Sequence, residues 1–206
     1  MPMITDPRTR LALLGTLSDL HRMPISFSLT GLWTVVSELE PDLLCAEVTP
    51  EGWARQDFTG VGPEVREALA QAVAATDIVL LPVAPSVRQF TDQAPQQGWR
   101  RRVVAWAEEL LIWAVRRADR VEAVQGSWFR TICHLACWLA EQCWSPEARS
   151  LWDQETRGMA DHILQAIERD PGRRVLVAVQ CQRLHRLLPM LQRQAPLVEF
   201  VGYQML

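Results

Sequence analysis

Short apolar runs that alternate with helical patterns are the feature that most restricts how this chain can fold. The first three runs lie at 11–16, 43–48 and 77–83, so successive strands begin roughly 30 residues apart. Residues 28–39 and 63–73 place apolar side chains at helical spacing, whereas 50–62 is predicted to be a loop. This β-α alternation is typical of a mostly parallel sheet flanked by helices, so we expect an α/β fold.

The later part of the chain departs from this pattern and then returns to it. Residues 86–97 are polar without a period, and 98–169 is predicted to be helical, with breaks near 125–127 and 145–146. A fourth strand at 175–179, a helix at 182–194 and a last strand at 198–201 follow. The sequence therefore predicts a single α/β domain, 1–206, with a Trp-rich helical insertion at 86–170 between the third and fourth strands.

Composition limits the classes of function. The 206 residues are 49% apolar and 22% charged with a net charge of −3, which is typical of an ordinary globular protein. No apolar run reaches the ~18 residues of a membrane span, and no basic run provides an electrostatic surface for nucleic acid. All 21 basic residues are Arg, which excludes chemistry that needs a lysine. Because the first residues lack a signal-peptide pattern and the cysteine count is odd, we expect a cytoplasmic protein with free thiols.

Polar side chains follow the first two predicted strands. Ser18, Asp19 and His21 come after the glycine turn that ends the first strand, and Glu47 stands at the end of the second. Carboxyl ends of neighbouring parallel strands lie about 5 Å apart, so we expect Asp19, His21 and Glu47 to converge. Such a group could bind a metal or act as base and acid. Alternatively, Asp19 caps a turn, His21 is solvated and Glu47 pairs with an Arg.

The helical insertion contains a row of tryptophans. Trp99, Trp106 and Trp113 recur every seven residues and so share one helix face. They could line a pocket for a flat ligand such as haem, but such a row more often belongs to the core, which is the interpretation we favour. The high Trp content also allows a self-association face.

Two clusters of potential ligands lie elsewhere. Cys133, His134, Cys137 and Cys143 have the residue types of a metal site, but inside an apolar helix buried thiols are the better interpretation. His185, next to arginines on a predicted helix, could help to bind an anion or could belong to a solvated basic face.

Four motifs, taken in order, resemble one superfamily. The first strand ends in Gly-Thr-x-x-Asp-x-His (15–21), the second is Pro-Asp-Leu-Leu-Cys-Ala-Glu (41–47), a late helix contains Met-Ala-x-x-Ile (159–163), and the fourth strand is VLVAV. Over 11–83 and 150–203 this order resembles the TraB/Tiki and ChaN/erythromycin-esterase-like superfamily. The resemblance implies the same α/β sheet with a helical insertion. Described members include metal-dependent proteases, haem-binding proteins and ester hydrolases, so activity does not follow from membership.

The chain departs from the pattern of that superfamily at its polar positions. The pattern has Gly-x-x-His after the first strand and again after the late strand, and Ser18 and Arg183 stand at those two histidines. Glu155 and Thr156 stand where the pattern has Arg-Asn, so that Glu47 alone is intact. Ser is a poor metal ligand at neutral pH, and Arg cannot be one because it stays protonated. We therefore expect no metal here, and expect Arg183 to pair with Glu47 instead.

The leading functional prediction is a catalytically degenerate member of the superfamily that acts as a binding or interaction protein for a small-molecule or protein ligand. Its candidate binding residues are Ser18, Arg183 and His185, and it needs no cofactor.

Two alternatives stay open. One is a metal-dependent ester or peptide hydrolase with a rearranged site, in which Glu47 is the base and Asp19 and His21 are ligands or the acid. This ranks lower because residues 183 and 185 of a helix point about 200° apart, which would turn His185 away from the site. The other is a haem- or metal-binding protein that uses His134 or His21.

Overall fold

The computed structural model describes residues 8–86, 98–118 and 120–206. Five parallel strands form one sheet in the order β3-β2-β4-β1-β5. Their bounds are β1 Arg10–Thr16, β2 Leu43–Ala46, β3 Val79–Pro82, β4 Arg174–Gln180 and β5 Glu199–Phe200. The predicted α/β fold with a parallel sheet is confirmed, and each predicted strand is present within a few residues of its expected bounds.

Helices occupy most of the remaining chain: α1 Leu29–Leu39, α2 Pro50–Arg55, α3 Ala70–Ala75, α4 Trp99–Arg117, α5 Val121–Gln125, α6 Ser127–Gln142, α7 Pro146–Arg169 and α8 Cys181–Gln194. A π turn at Val65–Leu69 leads into α3, and short 3-10 helices lie at Ser18–Arg22 and Tyr203–Met205. Within the described ranges, no helix has the length and apolarity needed to cross a membrane.

Local capping explains two of these helices. The predicted break at 145–146 is confirmed, because the Ser145 hydroxyl accepts a hydrogen bond from the amide of Ala148 at the start of α7. The prediction that 50–62 is a loop is wrong for its first part. There Thr49 accepts from the amide of Gly52 and Pro50 occupies the first turn, which together start α2. Of the polar segment 86–97, residues 87–97 lie outside the described part of the chain.

The sheet is covered on both faces. On β4, Leu176 and Ala178 join the cluster that includes buried side chains of α1, α3, α4 and α6, whereas alternate residues such as Val177 join the cluster of α7 and α8. The helical insertion is therefore divided between the two faces, with α4 and α6 on one side and most of the buried face of α7 on the other. It is part of the core rather than an appendage.

The tryptophan row of α4 lies on the surface. Trp99, Trp106 and Trp113 are 67%, 52% and 49% exposed, so the prediction that they belong to the core is wrong. The inward face of α4 is made instead by smaller side chains, among them Val104, Ala107 and Leu111. Seven-residue spacing shows that the tryptophans share a face, but it does not show which face is turned inward.

Strand order determines which loops can meet. β4 lies between β1 and β2, with Thr16 opposite Gln180 and Ala46 opposite Ala178. The loop after β2 therefore faces the end of β4 rather than the loop after β1. None of the contacts described below joins Asp19, His21 and Glu47 to one another, so the expected group of three does not form.

Candidate functional site at the carboxyl edge of the sheet

Arg183, in the first turn of α8, is completely buried at the carboxyl edge of β4. Its Nε donates to Oε1 of Glu47 over 2.7 Å, and the other oxygen of Glu47 accepts from the amide of Gln180 over 2.9 Å. Glu47 directly follows β2, so the ion pair spans the ends of two neighbouring strands. The predicted pairing of Arg183 with Glu47 is confirmed.

Helix α7 closes the other side of the guanidinium. Nη1 of Arg183 donates to the hydroxyl of Thr156 over 3.2 Å, and Nη2 lies 3.4 Å from Oε2 of Glu155. The guanidinium carbon is 3.5 Å from the ring centre of Trp152, which is itself fully buried. We call Glu47, Glu155, Thr156, Trp152 and Arg183 the Arg183 network.

The charges of the Arg183 network are unequal. Two carboxylates, each on a side chain only 10% exposed, share one guanidinium. The surplus negative charge is partly offset by neutral donors, since the Ser86 hydroxyl donates to Glu155 and the Gln180 amide donates to Glu47. The planar, permanently charged fork of Arg suits this arrangement, because it can donate in several directions at once.

The residues of this edge do not fit the metal that the superfamily resemblance implies. The resemblance assigns a ligand to position 183, where a fixed cation now lies 2.7 Å from the one intact carboxylate, Glu47. Within residues 8–86, 98–118 and 120–206 there is also no group of three His, Cys, Asp or Glu side chains placed to hold a metal ion.

The first loop holds its histidine by main-chain contacts. Nε2 of His21 accepts from the amide of Leu17 over 2.9 Å, which leaves Nδ1 to donate to the carbonyl of Phe27 over 2.8 Å. Burial lowers the pKa of His21 to about 4, against the opposing effect of the Phe27 hydrogen bond. With both nitrogens engaged and the ring neutral, His21 fixes the shape of the loop rather than transferring protons.

The other candidate residues of this loop are placed differently. The side chain of Asp19 is 84% exposed and lies 3.9 Å from Arg22, in the first turn of the 3-10 helix. Ser18 adopts a positive φ of 50°, which is uncommon for a residue with a side chain, at the start of the 3-10 helix that follows β1. Both line the cleft described below.

Glu64 is a buried carboxyl that the sequence analysis missed. It is 3% exposed, and its Oε1 accepts from the Thr16 hydroxyl over 2.9 Å at the end of β1. Oε2 is buried without a hydrogen-bond partner in the described part of the chain. Burial raises the pKa of Glu64 to about 7; the Thr16 hydrogen bond opposes this shift, and the charges of Glu47 and Asp19 add to it. The preceding Pro63 marked a helix start, but no local pattern indicated that Glu64 faces inward.

His185 points away from the Arg183 network, as its helical position predicted. Its ring stacks on His134 with ring centres 4.9 Å apart, and Nε2 lies 3.4 Å from Oε1 of the buried Glu141. Arg186 forms ion pairs with Glu141 and with Asp153. The alternative of a solvated basic face is wrong for Arg183, which is fully buried, and the paired arginines leave little free positive charge for an anion.

The five cysteines are buried free thiols. Cys133 and Cys137 face each other on α6 with their sulfurs 3.9 Å apart, and burial raises the pKa of the Cys45 thiol to about 12. The pKa of Cys133 is raised chiefly by its hydrogen bond with Cys137, and that of Cys137 chiefly by burial. These two thiols of the candidate cluster are therefore hard to deprotonate, which favours the interpretation of core packing.

A cleft of about 220 Å³ opens beside the Arg183 network, at the same edge of the sheet. Its walls come from α4 and α6 and are mostly apolar, with Ala107 and Ala136 among them. Polar groups come from the first loop, the end of β4 and the start of α8 (Ser18, Asp19, Gln180 and Gln182), and one carboxylate, Glu108, comes from α4. None of the tryptophans lines this cleft, so the alternative in which the Trp row binds a flat ligand finds no support in it.

Comparisons with protein-family models, curated proteins and solved structures found no match to this chain. The resemblance to the TraB/Tiki and ChaN/erythromycin-esterase-like superfamily therefore stays a prediction.

Proposed function

We propose that this protein is a binding protein in which an ion pair occupies the place of an ancestral metal site. The observation that carries the proposal is the complete burial of Arg183 between Glu47, Glu155 and Thr156. A metal at this edge would have to share Glu47 with a guanidinium that cannot lose its charge.

The superfamily resemblance gives this arrangement a simple interpretation. Where the pattern has Arg on the late helix, α7 has Glu155, and where it has His after the late strand, the chain has Arg183. These two exchanged positions contact each other. We infer that the positive charge has moved from α7 to α8, and that the two changes compensate each other.

We propose that the ligand is a small, mostly apolar molecule with one hydrogen-bonding end, bound in the cleft. The cleft is smaller than the ~300–1,000 Å³ usual for drug-sized ligands, and mostly apolar walls with a few polar groups are typical of ligand sites. The charged residues that line the cleft are Asp19 and Glu108, which disfavours nucleic acid and other anions as ligands.

Because all five thiols are free, we propose a reducing compartment, the cytoplasm.

Titration with a neutral naphthylamine probe, whose fluorescence rises in an apolar site, tests the cleft. We expect saturable binding that Ala136→Phe abolishes, because the new ring fills the cleft from the α6 wall. Ala54→Phe, on the exposed surface of α2, is the matched control and should bind the probe normally. Equal binding by the wild type and by Ala136→Phe would exclude the cleft as the site.

The hydrolase alternative is tested separately with a panel of aryl esters and peptides. We expect no turnover beyond that of a mock preparation. Turnover that Glu47→Gln abolishes would contradict the proposal, and turnover that Glu64→Gln alone abolishes would assign catalysis to the carboxyl beside Thr16. A haem absorption band in the purified protein that is lost in a His134→Ala variant would favour the haem-binding alternative.

A further inference from the structure

We propose that the exposed tryptophan row of α4 binds the same row of a second copy of this chain, in antiparallel orientation. The row consists of Trp99, Trp106 and Trp113, and it lies along one side of a 19-residue helix. Aromatic side chains are enriched at protein interfaces, and an exposed row of them is rare on a monomer. The row therefore indicates a protein–protein interface.

The exposed tryptophan row adjoins the buried apolar face of α4. Val103 and Leu110 each follow a tryptophan by four residues, are half-buried and pack against the core. The apolar face of α4 is therefore wider than the surface that the sheet and α6 cover. α6, which packs on α4, exposes two further tryptophans, Trp128 and Trp138.

The spacing of the row makes it complementary to itself. Trp106 stands midway, seven residues after Trp99 and seven before Trp113. When a second copy runs antiparallel with Trp106 on the two-fold axis, Trp106 meets its own counterpart and Trp99 meets Trp113 of the second copy. Two-fold pairs of this kind, with the same patch on both subunits, are the commonest form of oligomer.

Charge selects the antiparallel arrangement over the parallel one. Arg102 and Glu109 lie on the flank of the row opposite Val103 and Leu110, three residues after a tryptophan. Neither has an ion-pair partner among residues 8–86, 98–118 and 120–206. In the antiparallel pair like flanks meet, and Arg102 of one copy lies within one residue, about 1.5 Å along the axis, of the level of Glu109 in the other. In a parallel pair this charged flank would face the apolar flank of the second copy.

The area indicates a reversible dimer. The three indoles leave roughly 250–400 Å² exposed per copy, given the ~150–250 Å² of a tryptophan side chain. A stable interface of standard size buries about 800 Å² per partner, so this row alone supplies at most about half of it. We therefore expect an equilibrium between monomer and dimer at micromolar concentrations.

Sedimentation velocity of the full chain across micromolar concentrations tests the proposal. We expect the wild type to sediment faster as its concentration rises, and Trp106→Gln to remain monomeric. Trp33→Gln, which removes an exposed tryptophan of α1, is the matched control and should dimerise like the wild type. Because both positions are at the surface, equal melting temperatures will show that both variants fold.

Charge exchange tests the orientation. Arg102→Glu and Glu109→Arg should each weaken the dimer by about two- to thirtyfold, because each places two exposed pairs of like charges across the two-fold axis. The double variant should recover the affinity of the wild type. A wild type that is monomeric throughout, or a dimer that Trp106→Gln does not weaken, would overturn the proposal. Single exchanges without effect would overturn the antiparallel orientation.

Discussion

Replacing Arg183 by Met should destabilise the protein far more than replacing either of its carboxylate partners. Methionine fills a similar volume but leaves Glu47 and Glu155 buried without their shared cation. Removing one partner of a buried ion pair typically costs about 3–5 kcal/mol. At about 2–4 °C per kcal/mol for a chain of this size, the melting temperature should fall by roughly 6–20 °C.

Glu47→Gln should cost less, about 1–2 kcal/mol, because Arg183 then still faces Glu155 and the network is electrically neutral. In the Arg183→Met background, Glu47→Gln should no longer lower the stability of the protein. There Glu47 is an unpaired buried carboxylate, so Glu47→Gln should be neutral or stabilising.

Urea unfolding at neutral pH, followed by tryptophan fluorescence, measures all four members of this double-mutant cycle. Arg173→Met is the matched control: its ion pair with Asp170 has the same 2.7 Å length, but both side chains are about half exposed. It should cost less than about 1 kcal/mol. An Arg183→Met variant as mild as the control, or equal destabilisation by Glu47→Gln in both backgrounds, would contradict the stabilising role of the buried ion pair.

Three further predictions concern the edge around β1. An NMR titration of His21 should give a pKa of about 4. The free energy of unfolding that the neutral ring contributes is then complete above about pH 6.5 and falls by about 3 kcal/mol as the pH drops to 4. A pKa near 6.5 would contradict the buried contacts of the ring. Glu64→Gln should stabilise the protein by about 3 kcal/mol above pH 7 but not below pH 4.5, because the raised pKa of Glu64 makes its ionisation unfavourable in the folded state. Equal stability of the wild type and the variant at pH 8 would refute this. Gly15→Ala should cost about 1–3 kcal/mol in urea unfolding, because its Cβ would lie 2.8 Å from Leu184 and 3.2 Å from Cys181 on α8; an unchanged midpoint would show that α8 adjusts freely.

The strands and long helices could be predicted because their signals are local. β4 is a run of buried β-branched and aliphatic residues, and α7 begins at a Ser-Pro pair that caps it. The order of the strands is not local. Placing β4 between β1 and β2 depends on packing the whole chain, and this order separates the first loop from Glu47.

The candidate site could be predicted where two residues follow adjacent strand ends. Glu47 and Arg183 meet this condition, and their pairing was foreseen. Glu155 and Thr156 reach Arg183 from the late helix α7, and only the superfamily resemblance indicates their positions. Glu64 had no signal at all, because its burial depends on a tertiary contact with Thr16.

The tryptophan row shows a limit of periodicity. Seven-residue spacing places three side chains on one face, and apolar faces usually turn inward. On α4 the inward face is made by small residues that allow close packing against α6. The larger tryptophans are left at the surface, where they are available to a second copy.

The metal content of the purified protein tests the central claim most directly. We predict that Zn, Mn and Fe are sub-stoichiometric in the wild type, and that their levels are the same in Glu47→Ala, because Glu47 is already paired with the permanently charged Arg183. One metal ion per chain in the wild type that is lost in Glu47→Ala would contradict the claim.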